Sequence, residues 1–161
     1  MIPGDGIGTE VINSGVEVLQ ALSKIVPNLP IEFNHFDWGA EYYKEHGIMM
    51  PDEGVDELKD YNAIYFGSAG VPDIPDHITL WGLRLKICQE LDQYANLRPV
   101  KLLPGISSPL KNVEEKDMDW SFIRENSEGE YSGIGGRSHK GYSNDTAMDV
   151  TLFTKQGVER I

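Results

Sequence analysis

The stretch Ala63-Ile64-Tyr65-Phe66-Gly67-Ser68-Ala69-Gly70 decides the fold class, because it delivers a short apolar strand into a glycine-rich turn. Upstream, Ile31–Phe36 alternates apolar and polar residues, as a half-buried strand does. Downstream, a helix is expected from about Leu80 to Asp92. Strands that alternate with helices in this way predict βαβ units, and therefore an α/β fold with a mainly parallel sheet.

The first half of the chain carries further helical patterns. Behind the Gly4–Gly8 loop, apolar residues recur at helical spacing, with Thr9 as the expected N-cap. These apolar residues are Ile12, Val16, Leu19, Leu22 and Val26. Shorter helices are expected at Ala40–Glu45, closed by Gly47, and from about Pro51 to Lys59.

The second half predicts more extended structure. Extended segments are expected at Pro99–Leu103, Trp120–Glu125 and Met148–Leu152, and residues 128–137 are expected to form a loop or a projecting hairpin. Thr154 resembles the N-cap of a helix that would run to the last residue. Because isolated helices this short are marginal in water, we expect the chain to be a fragment of a larger protein.

Composition narrows the functional classes. Apolar residues at 40% and charged residues at 25% predict a folded globular chain. The net charge of −12 argues against nucleic-acid binding, which depends on Lys and Arg. The single cysteine, Cys88, excludes an intrachain disulfide, and no Cys/His cluster suggests zinc. Without a targeting leader or an apolar run of about 20 residues, a cytoplasmic protein is expected.

Basic residues cluster in the middle of this acidic chain and predict an anion site, with solvated surface side chains as the alternative. They are Arg84, Lys86, Arg98, Lys101 and Arg124. The Gly4-x-Gly6-x-Gly8 loop does not match the dinucleotide fingerprint G-x-G-x-x-G, because position 9 is threonine. Two interpretations of the loop stay open: a tight turn before a helix, or close main-chain approach to a cofactor.

On three ordered segments the chain resembles the isocitrate/isopropylmalate dehydrogenase family. The segments are Pro3-Gly-Asp-Gly-Ile-Gly8, Asp92-Gln-Tyr-Ala-Asn-Leu-Arg-Pro99 and Arg124-Glu-Asn-Ser-Glu-Gly-Glu-Tyr131. Three shorter segments look most like its tartrate and D-malate dehydrogenase (decarboxylating) branch. They are Phe66–Gly70, Pro75–His77 and Leu80–Gly82.

The resemblance implies an isopropylmalate dehydrogenase-like fold, a two-domain open sheet that here lacks its first strand and its C-terminal half. Residues 1–94 would be part of the cofactor-side domain. Residues 95–161 would begin the second domain, which binds substrate and dimerises, with a projecting arm near residues 128–150 that joins two subunits. A homodimer is the state that the resemblance implies.

The resemblance also implies the activity, a metal-dependent, NAD-linked oxidative decarboxylation of a 2-hydroxy dicarboxylic acid. Arg98 and Arg124 match arginines that bind substrate carboxylates, and Tyr131 matches the tyrosine that protonates the enol after decarboxylation. The residues that match the cofactor cleft are Ile7, Gly8, Gly67, Ser68 and Asn96, the last of which also lies near the substrate. Mg²⁺ or Mn²⁺ is the implied metal, and no residue of this chain matches its ligands.

Two departures qualify this expectation. The family places a further substrate arginine where this chain has Cys88, and a thiol cannot form a charge-assisted bidentate contact. Arg84, four residues earlier, is a candidate replacement, and a reshaped substrate pocket is the alternative. The family's metal-binding aspartates and catalytic lysine also have no counterpart, which predicts that the chain is inactive alone.

Other functions remain open at this point. The chain would also fit a fragment of isopropylmalate or isocitrate dehydrogenase, although the bulky Trp81 stands against isopropylmalate. A non-catalytic dimerisation or binding module derived from the same family is a third possibility.

Overall fold

A computed structural model describes all residues from Met1 to Ile161. The chain divides into two compact units, Met1–Leu91 and Asp92–Ile161. This boundary lies close to the one expected after residue 94, while the functional roles of the two domains remain predictions. No helix in the structure combines the length and the apolar character that crossing a membrane requires.

The first unit combines a two-stranded parallel sheet with helices. Its strands are β1 (Ile2–Gly4) and β2 (Phe66–Ser68), and its helices are α1 (Gly8–Ile25), α2 (Ala40–His46), α3 (Gly54–Leu58), α4 (Asp76–Thr79), a π-helix (Leu80–Leu85) and α5 (Lys86–Glu90). Ile2 pairs with Phe66, and Gly4 pairs with Ser68. The order of strand, helix and parallel strand confirms the expected α/β class.

Strand β1 corrects the expectation that the chain lacks a strand before the glycine loop. Three residues are enough here because the side chain of Ile2 is fully buried and the main chain of Asp5 continues the pairing, with its N–H 2.8 Å from the Ser68 oxygen. Because of this pairing, β2 begins later in the sequence than the predicted strand does. The segment Ala63–Phe66 was expected to be the strand, yet the observed strand runs through Gly67 into the predicted turn.

Two other local predictions for this unit are wrong. Residues 31–36 form no regular strand, since their main chain bonds to Met1, just before β1, and not to β1 itself. The Met1 oxygen accepts from Phe36 N–H at 2.9 Å, and the Met1 amino group donates to the Asn34 oxygen at 2.6 Å. An alternating pattern predicts a buried face, but a strand also needs a neighbour along its length. Helix α1 begins at Gly8 with Ile7 as its N-cap, so the Thr9 side chain caps nothing.

The helical stretch near residue 80 is longer and less regular than its pattern predicts. It begins at Asp76 and reaches Glu90, and its middle turns form a π-helix over Leu80–Leu85. Such wide turns are rare and are frequent at functional sites. Gly82 lies in this π-helix, where a Cβ would come within 2.8 Å of the Met49 side chain, so glycine allows the close packing.

An apolar core holds the first unit together. Its buried members are Ile2, Trp38, Met49, Met50, Val55, Leu58, Leu83 and Ile87. Burying one such side chain contributes about 1.5–3 kcal/mol relative to leaving it in water. The core therefore joins β1 to α3, to the π-helix and to α5.

The second unit is built from two antiparallel strand pairs and a short helix. The pairs are β3 (Ala95–Lys101) with β4 (Asp119–Glu125), and β5 (Gly129–Ser138) with β6 (Thr146–Leu152), and the helix is α6 (Lys155–Arg160). The expectation of a mainly parallel sheet is wrong, because two of the three strand pairs are antiparallel. The N-cap prediction for α6 is confirmed, since the Thr154 hydroxyl accepts from Gly157 N–H at 2.9 Å.

The carboxylate of Asp5 joins three segments of the first unit. It is buried, its Oδ1 accepts from the main-chain N–H of Ala40 at 2.5 Å, and its Oδ2 accepts from Gly70 N–H at 2.7 Å. The Ser68 hydroxyl donates to the Asp5 carbonyl oxygen. One side chain thus fixes the glycine loop to the start of α2 and to the turn after β2.

We predict that Asp5→Asn lowers the free energy of unfolding by about 1–3 kcal/mol, because an amide leaves one of the two N–H groups, of Ala40 or of Gly70, facing a second donor. Urea denaturation of the chain at neutral pH measures this change. Glu17→Gln is the matched control, since it removes one charge from an exposed position on α1. Equal midpoints for Asp5→Asn and wild type would contradict the structural role of Asp5.

Candidate functional site

Three of the candidate substrate residues share one face of the β3–β4 pair. Asn96 lies opposite Arg124 in the antiparallel register, and Arg98 lies opposite Phe122. Residues two apart on a strand point to the same side, and directly opposed residues do so as well. Arg98 and Arg124 are therefore diagonal neighbours on the face that carries Asn96.

Tyr131 contacts Arg124 directly. Nη2 of Arg124 donates to the phenolic oxygen of Tyr131 at 2.6 Å, and the guanidinium carbon lies 5.2 Å from the ring centroid. Guanidinium is always a donor, so the tyrosine oxygen accepts and keeps its own O–H as a donor. The structure thus places a cation and a phenol side by side, which the sequence spacing of these two residues does not predict.

An irregularity in β5 positions Tyr131. Gly129 pairs with Leu152 and Ile134 pairs with Val150, so four residues of β5 lie opposite one residue of β6. Bulges of this kind interrupt the ladder and redirect side chains. Residues 128–137, expected to be a loop or a projecting hairpin, are therefore part of a hairpin whose bulge carries Tyr131.

Asn126 was not identified from the sequence. It is only 4% exposed, its N–H donates to the Tyr94 oxygen at 2.8 Å, and its side-chain nitrogen donates to the Gln93 oxygen at 3.0 Å. Its Oδ1 accepts from Nδ2 of Asn96 at 3.2 Å. Oδ1 of Asn96 in turn accepts from Nε of Arg98 at 3.2 Å. An asparagine in a turn is too common for its type to signal this role.

The turn after β4 is held by the carboxylate of Glu125. This carboxylate accepts from the N–H and the hydroxyl of Ser127, at 2.9 and 2.7 Å, and from the N–H of Glu128 at 2.6 Å. Burial raises the pKa of Glu125, but these hydrogen bonds outweigh it, and the net pKa lies below the ordinary value. The turn between Arg124 and Tyr131 therefore depends on a charged carboxylate.

The side chains of Arg160 and Glu128 fasten helix α6 to this turn and to the segment before β3. Arg160 donates to Asp92 at 3.1 Å and to the Ser127 hydroxyl at 2.9 Å, and its guanidinium carbon lies 4.3 Å from the Tyr94 ring centroid. Glu128 accepts from the N–H and the hydroxyl of Thr154, at 2.8 and 2.6 Å. The segment that supplies Arg124 and Tyr131 is thus tied to the last helix of the unit.

In the first unit, close main-chain contacts explain the candidate cofactor glycines. A Cβ on Gly8 would lie 2.1 Å from the Pro3 carbonyl oxygen, and a Cβ on Gly67 would lie 2.2 Å from the same atom. A third glycine, Gly4, adopts a positive φ of 65° and would meet the Ser68 oxygen at 2.0 Å. The protein's own packing therefore requires these glycines, while their role toward a cofactor remains a prediction.

The other two cofactor candidates of the first unit differ in accessibility. The Ser68 hydroxyl is engaged with the carbonyl oxygen of Asp5. Ile7, in contrast, is 67% exposed at the N-terminus of α1. Of the four residues, Ile7 alone presents a mainly exposed side chain to a ligand.

Arg84, Trp81 and Cys88 lie on the helical stretch of the first unit. Arg84 and Trp81 are half-buried in the π-helix, and Cys88 is buried in α5. The expected shared face of Arg84 and Cys88 assumed a regular α-helical turn, and the π-helix widens the turn that carries Arg84. The structure also contains no group of three His, Cys, Asp or Glu side chains arranged to hold a metal ion.

The amino-acid sequence of the chain is similar to those of known proteins. A family described as isocitrate/isopropylmalate dehydrogenase matches residues 1–161. A probable tartrate dehydrogenase/decarboxylase from Agrobacterium vitis is 58% identical over 160 residues, which are 99% of this chain and 45% of the relative. The D-malate dehydrogenase [decarboxylating] of Escherichia coli (strain K12) is 48% identical and is covered to the same 45%. The chain spans less than half the length of these curated relatives.

Solved structures agree on the fold. A β-decarboxylating dehydrogenase from Thermococcus kodakarensis, in its apo form, is 34% identical with a TM-score of 0.64, over 99% of this chain and 41% of that one. An isocitrate dehydrogenase from Methylococcus capsulatus has a TM-score of 0.77 at 24% identity, over 99% of this chain and 43% of that one. The second likeness shows the fold alone.

We predict that Glu125→Gln lowers the free energy of unfolding at pH 7 by about 1–2 kcal/mol, because a neutral amide accepts less strongly and offers one acceptor atom. A carboxyl whose pKa is lowered by folding stabilises the protein above its unfolded pKa of about 4.3, and this contribution is lost as the pH falls through the folded pKa. The difference between wild type and variant should therefore shrink on acidification.

Urea denaturation at several pH values from 7 down to 3 measures this difference. Glu130→Gln is the control, because Glu130 is exposed and lies in the same segment. A difference that stays constant across this range would rule out the charged state of Glu125 as its cause.

Proposed function

Because the chain belongs to the isocitrate/isopropylmalate dehydrogenase family, we propose that it is the substrate-binding part of a decarboxylating dehydrogenase for tartrate or D-malate. The observation that carries the proposal is the contact between Arg124 and Tyr131 on the face shared with Arg98 and Asn96. Isopropylmalate and isocitrate are disfavoured as substrates, because the relatives at 45–58% identity are named for tartrate and D-malate.

Arg98 and Arg124 bind the carboxylates of the substrate in this proposal. Guanidinium forms two parallel hydrogen bonds to a carboxylate, and two such groups on one face suit a dicarboxylic acid. The half-buried position of Arg124 favours tight contact, while Arg98 is exposed and held at Nε by Asn96. Both arginines lie within one strand pair, so the pair itself sets their separation.

Tyr131 donates the proton that completes decarboxylation. Loss of CO₂ leaves electron density on the carbon that carried the carboxylate, and the phenolic O–H supplies a proton to that carbon. The neighbouring Arg124 stabilises the phenolate that remains.

NAD and a divalent metal, Mg²⁺ or Mn²⁺, complete the proposed reaction. When bound, NAD would supply the hydride acceptor for oxidation of the 2-hydroxy carbon, and the exposed side chain of Ile7 beside the glycine loop suits contact with an apolar part of that cofactor. The residues of this chain do not fit a metal site, because no trio of ligating side chains lies together. We propose that the metal ligands lie outside these residues and that the chain alone is inactive.

The proposal includes a homodimer in the cytoplasm. The β5–β6 hairpin is the proposed arm between subunits, because it carries exposed apolar side chains that a soluble hairpin rarely leaves in water. These are Ile134, Tyr142 and Met148. A reducing compartment suits the single free cysteine, Cys88.

The reaction is tested in a chimera in which this chain replaces the matching 160 residues of the Agrobacterium vitis relative. NADH formation from D-malate, tartrate, isopropylmalate and isocitrate, each with Mn²⁺, ranks the substrates. We predict turnover of D-malate or tartrate and a loss of about 100-fold or more in kcat for Tyr131→Phe, which removes the proton donor.

Tyr61→Phe is the control, since Tyr61 is an exposed tyrosine outside the β3–β4 and β5–β6 pairs, and it should leave kcat unchanged. A Tyr131→Phe chimera with full kcat would eliminate the proton-donor role. A chimera that prefers isocitrate or isopropylmalate would overturn the substrate class.

Arg84 is proposed as a further carboxylate ligand in place of the arginine missing at Cys88, on the resemblance alone. We predict that Arg84→Ala weakens D-malate binding to the chain at least tenfold, as Arg124→Ala should, because each removes charge-assisted hydrogen bonds. Isothermal titration measures both variants. Lys86→Ala is the control, since Lys86 is a neighbouring cation held near Asp52 at 3.8 Å. Unchanged affinity in Arg84→Ala would favour the reshaped pocket instead.

A further inference from the structure

A chain of side-chain amides leads from a main-chain carbonyl to Arg98, and its first member is Asn126. The Gln93 carbonyl oxygen can only accept, so the Asn126 amide must turn its nitrogen toward it, at 3.0 Å. The N–H of Asn126 is itself bonded to the Tyr94 oxygen at 2.8 Å, which holds the residue in place. Oδ1 of Asn126 is therefore presented to Asn96.

The orientation of the second amide follows from the first. Nδ2 of Asn96 lies 3.2 Å from Oδ1 of Asn126, and an amide that donates on one side accepts on the other. Oδ1 of Asn96 consequently faces Nε of Arg98, also at 3.2 Å. With the opposite orientation, the NH₂ group of Asn96 would face a guanidinium that can only donate.

Holding Nε has a consequence for the exposed Arg98 side chain. A free arginine side chain has several rotatable bonds, and the rotamer entropy that they carry is lost when a ligand fixes the side chain. A hydrogen bond at Nε restricts the guanidinium plane and keeps the two terminal nitrogens as donors for a carboxylate. Ordering the side chain before the ligand arrives lowers the cost of binding.

We propose that Asn126 is a positioning residue that fixes the orientation of the Asn96 amide and thereby holds Arg98 ready for an anionic ligand. The identity of that ligand as a dicarboxylate rests on the proposed function. The ordering of Arg98 does not, because it depends on contacts within Asp92–Ile161 alone.

The test uses the 161-residue chain and two measurements. The ¹H–¹⁵N resonance of Arg98 Nε, assigned by its disappearance in Arg98→Lys, reports through its proton exchange rate whether Nε is hydrogen-bonded. Isothermal titration reports D-malate affinity. In Asn126→Leu, which removes the acceptor for Asn96, we expect faster exchange at Nε and a loss of affinity of roughly three- to tenfold. Asn144→Leu, at an exposed asparagine of the same unit, should change neither.

A second background separates positioning from general stability. In Asn96→Asp both oxygens of the carboxylate can accept a hydrogen bond. Nε of Arg98 therefore keeps an acceptor in either orientation of that carboxylate. Adding Asn126→Leu to Asn96→Asp should therefore leave the Nε exchange rate unchanged. Equal acceleration by Asn126→Leu in both backgrounds, or in neither, would overturn the proposal. If Asn126→Leu does not fold, Asn126→Ser, whose hydroxyl is too short to reach Asn96, carries the same expectations.

The two proposals fail in different ways. In one outcome, Asn126→Leu accelerates proton exchange at Arg98 Nε in the wild-type background and not in Asn96→Asp, while the wild-type chain shows no affinity for D-malate. That result would refute the proposed substrate and leave the role of Asn126 intact. A wild-type chain that binds D-malate while Asn126→Leu changes neither measurement would refute the role of Asn126 and leave the substrate intact.

Discussion

Turns that carry candidate site residues in this protein leave main-chain N–H groups that strands and helices do not satisfy. The carboxylates of Asp5, which is buried, and Glu125, which is half-buried, accept from these groups. Asp5 accepts from Ala40 and Gly70 in the first unit, and Glu125 accepts from Ser127 and Glu128 in the second. An N–H group buried without an acceptor would cost about 1–3 kcal/mol, so these carboxylates are required by the turns themselves. The turn fixed by Asp5 positions the glycine loop, and the turn fixed by Glu125 positions the segment from Arg124 to Tyr131.

The two units differ in how much apolar packing supports the turns whose N–H groups these carboxylates satisfy. The first unit has an apolar core, so loss of one hydrogen bond leaves most of its packing in place. In the second unit large apolar side chains such as Leu97 and Ile123 are more than half exposed, and several of the contacts that join its elements are polar. Arg160 and Glu128 supply several of these contacts. The candidate site therefore lies in the unit whose geometry depends most on hydrogen bonds and charge.

The glycines show how one sequence signal can have two causes. A glycine-rich loop before a helix indicates either close approach to a cofactor or close approach of the chain to itself. At Gly8 and Gly67 the second cause is visible, because a Cβ at either position would collide with the Pro3 carbonyl oxygen. A cofactor role for these residues would have to come in addition to this packing role. Ile7, whose side chain is exposed, is the stronger candidate for direct contact.

The sequence by itself determined the α/β class, the family, most helices and the Thr154 cap, because these follow from local periodicity, capping chemistry and ordered motifs. Through the resemblance of its ordered motifs to the family, it also identified Arg98, Arg124 and Tyr131 as candidates. Tertiary structure alone decided which strands pair, where β5 bulges, that Tyr131 meets Arg124, and that Asn126 orients Asn96. The physical reason is that hydrogen bonds between residues distant in sequence depend on register and burial, which local residue patterns do not encode.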